Sequence, residues 1–121
     1  MNCFCKSGET NELKLEGDVG ADPIWCNKCG CNLDIEDVPI SHELKDGLSY
    51  WVLGYGRWID WNKDRLFPNG KEMEDSFNQM GVALTEKVKQ ELGDKYKVKY
   101  SPSTSARFYA KNGYEIEKCT K

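Results

Sequence analysis

The stretch CNKCGC, residues 26–31, decides how the first third of this chain folds, because it gathers three cysteines around one tight turn. The chain opens with MNCFC, so five of its six cysteines fall within the first 31 of 121 residues. A structural zinc ion takes four thiolate or imidazole ligands, usually from two closely spaced pairs. The C-x-C and C-x2-C spacings supply two such pairs, and Gly30 gives the backbone freedom needed to leave the second turn. The pattern predicts one structural zinc ion per chain, bound by Cys3, Cys5, Cys26 and Cys29.

Three further residues are weaker candidates for the metal. Cys29 and Cys31 could form the second pair instead, leaving Cys26 spare. The C-x2-C-G spacing favours Cys26 with Cys29, and Cys31 is then a small buried side chain or a reactive thiol beside the site. Cys119 is interpreted as an exposed bystander, and His42, the single histidine, lies at a predicted helix start.

The two cysteine turns, CFC and WCNKCG, resemble the knuckles of zinc-ribbon and rubredoxin-like modules over roughly residues 1–36. This resemblance implies a short antiparallel sheet stapled by one metal ion. The first pair is C-x-C where those families usually have C-x2-C, which disfavours the iron of a rubredoxin-like electron carrier. The whole chain, including SPSTSARFY (101–109), also resembles small bacterial proteins, which implies no particular activity.

The composition is that of a soluble, mildly acidic protein, with a net charge of −3 and 31% charged residues. No apolar run approaches the length of a membrane span, and the first residues lack the apolar core of a secretory signal. We therefore expect a cytoplasmic protein that does not bind membranes. In a reducing compartment, clustered thiols more often bind metal than form disulfides.

Two amphipathic helices are predicted in the middle of the chain. Ser41 is a candidate N-cap, and apolar residues recur at spacings of 4, 3, 4 and 3 to predict a helix from about 41 to 61, with Gly54 and Gly56 as its weak point. A second apolar stripe, expected to pack in the core, ends before Gly93 and consists of Met73, Phe77, Met80, Leu84, Val88 and Leu92. A loop over 62–70 joins them as an antiparallel hairpin. Arg57 with the 58–61 segment (Trp-Ile-Asp-Trp) could line a pocket, although packing is the simpler explanation.

Strands are predicted at both ends of the chain. Residues 12–16 (ELKLE) alternate polar and apolar, and residues 23–26 and 31–35 could pair as a hairpin across the cysteine turn. Near the C-terminus, residues 96–100 alternate tyrosine or valine with lysine, and Asn112-Gly113 predicts a hairpin. The SPSTS segment (101–105) is interpreted as a flexible polar loop. We predict an α+β fold: a zinc-ribbon-like module over 1–40, packed as one compact unit with a helical hairpin and short C-terminal strand pair over 41–121.

The predicted function is that of a binding or adaptor module for a protein partner, with zinc in a structural role. Single-stranded nucleic acid is an alternative partner, because residues 95–111 interleave five basic residues with four aromatic ones. The acidic first 40 residues and the overall pI near 5.2 disfavour it. No catalytic residues are predicted, because four cysteines fill a tetrahedral zinc and the sequence offers no nucleophile–histidine set. We therefore do not expect an enzyme.

Overall fold

The computed structural model describes residues 2–3 and 5–106, and these form an α+β fold. A three-stranded sheet packs against two helices, and a two-stranded ribbon lies between the helices in sequence. The strands are β1 (Glu12–Glu16), β2 (Ile24–Cys26), β3 (Ile59–Asp60), β4 (Arg65–Leu66) and β5 (Lys97–Ser101), and the helices are α1 (His42–Val52) and α2 (Gly70–Leu92). Neither helix is long and apolar enough to cross a membrane within the described residues.

Strand β1 lies at the centre of the main sheet, as its alternating pattern predicts. It pairs antiparallel with β2 and parallel with β5, in the order β2-β1-β5. Leu13 and Leu15 point into the core, whereas the charged residues of β1 are half-exposed on the other face. The hairpin expected between residues 23–26 and 31–35 is short: it has one antiparallel bridge, Trp25 with Asn32, on the edge of β2 that faces away from β1.

Helix α1 begins as predicted but ends much earlier. The hydroxyl of Ser41 accepts a hydrogen bond from the backbone N–H of Leu44, which caps the helix. The predicted continuation to residue 61 is wrong: the helix ends at Val52, and Gly56 has a φ of 82°, which a right-handed helix does not allow. Residues that were expected in its last turns form β3, which pairs with β4 inside the predicted loop.

Helix α2 ends where predicted, at Gly93, whose φ is 72°. The apolar stripe that predicted it supplies only part of the buried face: Phe77 and Val88 are buried, whereas Met73, Leu84 and Leu92 are partly buried against the core. The buried residues are Gly70, Glu74, Phe77, Gly81, Thr85 and Val88. The helix is rotated because Gly81 admits the ring of Tyr100 from β5 against its backbone. Met80, expected in the core, is consequently 55% exposed.

The two helices are antiparallel neighbours, as predicted. At one end, the carboxylate of Glu91 accepts hydrogen bonds from the N–H (2.6 Å) and hydroxyl (2.9 Å) of Ser41. At the other end, the rings of Trp51 and Phe77 stack with centroids 4.3 Å apart and an interplanar angle of 14°. These contacts fix the helix pair, and the rings join the main core.

The SPSTS segment is held by α2 rather than forming the flexible loop that its composition suggested. The side-chain oxygen of Asn78 accepts from the hydroxyl of Tyr100 (2.6 Å) and from the N–H of Ser103 (2.9 Å). Glu74, which is 3% exposed, accepts from the Ser103 hydroxyl (2.7 Å) and the Ala106 N–H (2.9 Å). The predicted hairpin at 112–113 lies outside the described residues, as does Cys119.

Candidate metal centre

Two glycine-ended turns bring four cysteines to one point. In the first, the N–H of Cys3 donates to the carbonyl of Gly8 (3.0 Å) and the N–H of Gly8 to that of Cys5 (2.8 Å). In the second, the N–H of Gly30 donates to the carbonyl of Cys26 (2.9 Å). Gly8 and Gly30 have φ values of 73° and 78°, in the left-handed region that favours glycine. Each turn thus contains a glycine in the left-handed region, although the cysteine spacings of the two turns differ.

The four sulfur atoms are close enough to share one metal ion. One sulfur from each of Cys3, Cys5, Cys26 and Cys29 lies within 4.8 Å of all the others. The two sulfurs of Cys5 and Cys26, from different turns, are 3.6 Å apart. A tetrahedron of sulfurs about 2.3 Å from a zinc ion has edges of about 3.8 Å. The cluster can therefore accept a tetrahedral ion with small adjustments.

Backbone N–H groups point at the sulfurs from both turns. Cys26 accepts from the N–H groups of Lys28 and Cys29, each at 3.4 Å, and Cys3 accepts from the N–H of Cys5 at 3.3 Å. Such donors stabilise a thiolate more than a neutral thiol. They are thus arranged for sulfurs that carry negative charge, as metal ligands do.

The sulfurs of the cluster differ in their affinity for protons. Burial raises the pKa of Cys26, but hydrogen bonds from the Cys29 N–H, the Thr10 hydroxyl and the Lys28 N–H outweigh it and lower that pKa from 9.0 to about 6. The pKa of Cys5 is raised to about 12, first by its hydrogen bond with Cys3 and then by burial. One sulfur is therefore ready to bind a cation near neutral pH, whereas its neighbour must be deprotonated by the metal.

A salt bridge lies beside the second turn. The ammonium of Lys28 is 3.1 Å from a carboxylate oxygen of Glu12, which raises the pKa of the lysine. The cation lies close enough to the sulfurs of Cys5 and Cys26 to favour its own charged form. Lys28 therefore offsets part of the negative charge that four thiolates would add to this acidic end.

The remaining candidate ligands lie elsewhere. Cys31 packs half-buried against the core, and its carbonyl accepts the N–H of Cys26 (2.9 Å). It is not one of the four clustered sulfurs, which in the second turn are those of Cys26 and Cys29. His42 is exposed at the first turn of α1.

Of the predicted basic-aromatic segment (95–111), residues 107–111 lie outside the described residues, and the part in β5 divides between the two faces of that strand. Lys97 and Lys99 are exposed, whereas Val98 is buried and Tyr100 half-buried, as the alternation predicts. The ring of Tyr100 packs against Gly81 and lies 6.1 Å from that of Trp51, centroid to centroid. Burial, and then the charge of Glu74, raise the pKa of its hydroxyl. This tyrosine is half-buried and packs against the core, which limits its use as a stacking platform for a nucleic-acid base.

Two comparisons with known proteins bear on this chain. A family model described as Serratia CdiI immunity protein-like matches residues 11–103, more than three quarters of the chain. The matched span includes Cys26 and Cys29 and begins after Cys3 and Cys5. Of the curated proteins, the cysteine proteinase COT44 of Brassica napus is 25% identical over 80 residues, which cover 66% of this chain. The matched region spans only 22% of that proteinase.

Proposed function

With residues 11–103 matched, the chain belongs to the Serratia CdiI immunity protein-like family, and on that premise we propose that it binds and neutralises a protein toxin. Immunity proteins as a class act by binding a protein partner. The observation that carries the proposal is the family match over both helices and all three strands of the main sheet. The chain thus acts as a binding module, without catalysis, in the cytoplasm, where its thiols stay reduced.

Zinc at the cysteine cluster has a structural role in this proposal. Four thiolates would complete a tetrahedral sphere and leave no position for a substrate or water. Cys3 and Cys5 precede the matched region, whereas Cys26 and Cys29 lie within it, so one ion would tie the first ten residues to β2. Zinc binding can contribute about 10 kcal/mol to such a small element. The ion therefore completes the end of the sheet that carries the cysteine turns.

Elemental analysis tests the metal assignment. We expect one zinc ion per chain in protein from zinc-replete cells, and loss of zinc from a Cys26→Ser variant. A Cys31→Ser variant is the matched control and should keep the ion. Cobalt substitution should give the intense visible bands of a tetrahedral thiolate site. Protein that contains mostly iron would support the rubredoxin-like alternative, and protein without metal would overturn the assignment.

Growth protection tests the immunity function. Toxin domains from the same genome are expressed singly in a susceptible strain, with and without this protein. We expect one toxin to be neutralised, and the purified pair to bind in calorimetry with one-to-one stoichiometry. Protection from no toxin, or protection without a stable complex, would contradict a mechanism based on binding.

Single-stranded nucleic acid is the competing partner, and the structure gives it limited support. The exposed lysines of β5 remain available, and no ion pair involves Lys97 or Lys99 within the described residues. Tyr100, however, packs half-buried against the core. Titration of a labelled oligonucleotide at two salt concentrations decides: salt-sensitive binding that is lost on charge reversal at Lys97 and Lys99 would favour nucleic acid.

A further inference from the structure

A groove of about 360 Å³ lies where the C-terminal end of α1 faces the first half of α2. Its floor contains the stacked rings of Trp51 and Phe77, and Tyr50 and Met80 stand on its two edges. Tyr50 is 78% exposed and Met80 55%. We call this feature the Arg57 groove, because Arg57 is the one charged residue among the described residues that line it.

The Arg57 groove exists because the two helices leave space where large side chains would otherwise meet. The rotation of α2 directs Gly81 to the sheet and leaves Met80 at the surface. On the facing side, Gly54 has no side chain, and a Cβ there would lie 3.8 Å from the ring of Phe77. The opening therefore follows from how the two helices pack.

The chemistry of the lining selects the kind of group that would fill it. Tyrosine, tryptophan, methionine and arginine are the residues enriched in the buried centres of protein interfaces. Arg57 is exposed, and no described residue forms an ion pair with its guanidinium. Among residues 2–3 and 5–106, no acidic side chain lines the groove. An occupant that brings both an apolar side chain and a carboxylate would satisfy both features.

We propose that the Arg57 groove is the docking site for the protein partner, which inserts a large apolar side chain and places a carboxylate against Arg57. That the partner is a toxin rests on the proposed function; the chemistry of the groove does not. One segment of the partner supplies both groups, with the carboxylate next to the apolar side chain. Arg57 then fixes the orientation of the anchor through a charge-assisted hydrogen bond.

A small probe tests this chemistry without a known partner. The zinc-loaded full chain is titrated with N-acetyl-L-phenylalanine and, separately, with its uncharged primary amide, while NMR follows the Met80 methyl and the tryptophan indole signals. We expect both probes to shift these signals, and the acid to bind at least fivefold more tightly. In Arg57→Gln the preference should fall to about one, whereas the control Arg65→Gln should keep it. Absence of shifts, or a preference unchanged in Arg57→Gln, overturns the proposal.

Two other occupants are tested with the same Met80 signal, and either would overturn the proposal. If the Met80 signal changes with protein concentration, a second copy of the chain fills the groove. If a spin label on Cys119, in a Cys31→Ser background, broadens the Met80 signal within one molecule, the end of this chain fills it.

A toxin, once found, separates this proposal from the proposed function. Met80→Lys should weaken toxin binding at least tenfold, whereas Val82→Lys should not. Val82 is the matched control, because it lies on the same helix, is 50% exposed and is absent from the groove. If Met80→Lys binds like the wild type, the groove assignment fails and the immunity function stands. If no toxin binds at all, the function fails, and the phenylalanine probes still decide the groove.

Discussion

Replacement of Glu74 by alanine tests whether the SPSTS segment is held in place by a buried carboxylate. Glu74 lies in α2 with its side chain directed at residues 103–106. One of its oxygens accepts from the Ser103 hydroxyl at 2.7 Å, the Ala106 N–H at 2.9 Å and the Ser105 hydroxyl at 3.4 Å. The Ser105 hydroxyl in turn accepts the indole N–H of Trp58 at 2.9 Å. The carboxylate therefore links α2 to the core through three donors.

The expected loss of stability follows from what each donor can do without Glu74. The Ala106 N–H belongs to a fully buried residue and would lose its acceptor, which costs about 1–3 kcal/mol. The two serine hydroxyls are 3.2 Å apart and can turn toward one another, so each loses less. Release of the carboxylate from its burial offsets part of the total. We expect Glu74→Ala to lower the free energy of unfolding by about 2–4 kcal/mol.

Urea denaturation of the zinc-loaded protein, followed by tryptophan fluorescence, measures this loss. Asp75→Ala is the matched control, because Asp75 is the exposed neighbour on α2 and should lose less than about 0.5 kcal/mol. A double-mutant cycle with Ser103→Ala should give a coupling energy near 1 kcal/mol. The reasoning is refuted if Glu74→Ala loses no more than Asp75→Ala, or if the cycle shows no coupling.

Three further predictions concern the cysteine cluster and the helix packing. Cys26→Ser should abolish zinc binding and lower the melting temperature steeply, whereas Cys119→Ser should leave both nearly unchanged. Equal melting temperatures for the two variants would show that the ligands are misassigned. Zinc uptake should release close to four protons well below pH 6 and fewer above pH 6, because the low pKa of Cys26 leaves that sulfur already deprotonated at the higher pH. Calorimetry in buffers of different ionisation enthalpy counts the released protons. A proton count that does not fall as the pH rises would contradict this. Gly81→Ala should lower the free energy of unfolding by about 1–3 kcal/mol, because the added Cβ would lie about 2.5 Å from the Cζ of Tyr100. Gly47→Ala, whose added Cβ would have its nearest contact at 3.9 Å, should be neutral or stabilising. Urea denaturation of the two variants compares them.

The parts of the fold that depend on local sequence could be predicted, because their signals lie within a few residues. The alternation in β1 and the capping serine of α1 specify their elements directly. The two cysteine turns also bring their own sulfurs together locally, so the four-sulfur cluster was predictable as a set. The end of α1 was not, because the apolar period continues beyond Val52 while Gly56 takes up a conformation outside the helix. A glycine pair within an apolar stripe was the available signal for that end.

The long-range contacts could not be predicted, and they create the features that bear on function. No local sequence pattern predicts that β5 pairs in parallel with β1, which lies some 85 residues earlier in the chain. That pairing places Tyr100 over Gly81, and the ring can reach the helix only if the glycine faces the sheet. With Gly81 toward the sheet, one member of the apolar stripe, Met80, lies at the surface beside α1, where it lines the Arg57 groove. The residue assigned by periodicity to the core thus reaches the surface because a smaller residue, one position along the chain, is the better fit for the sheet.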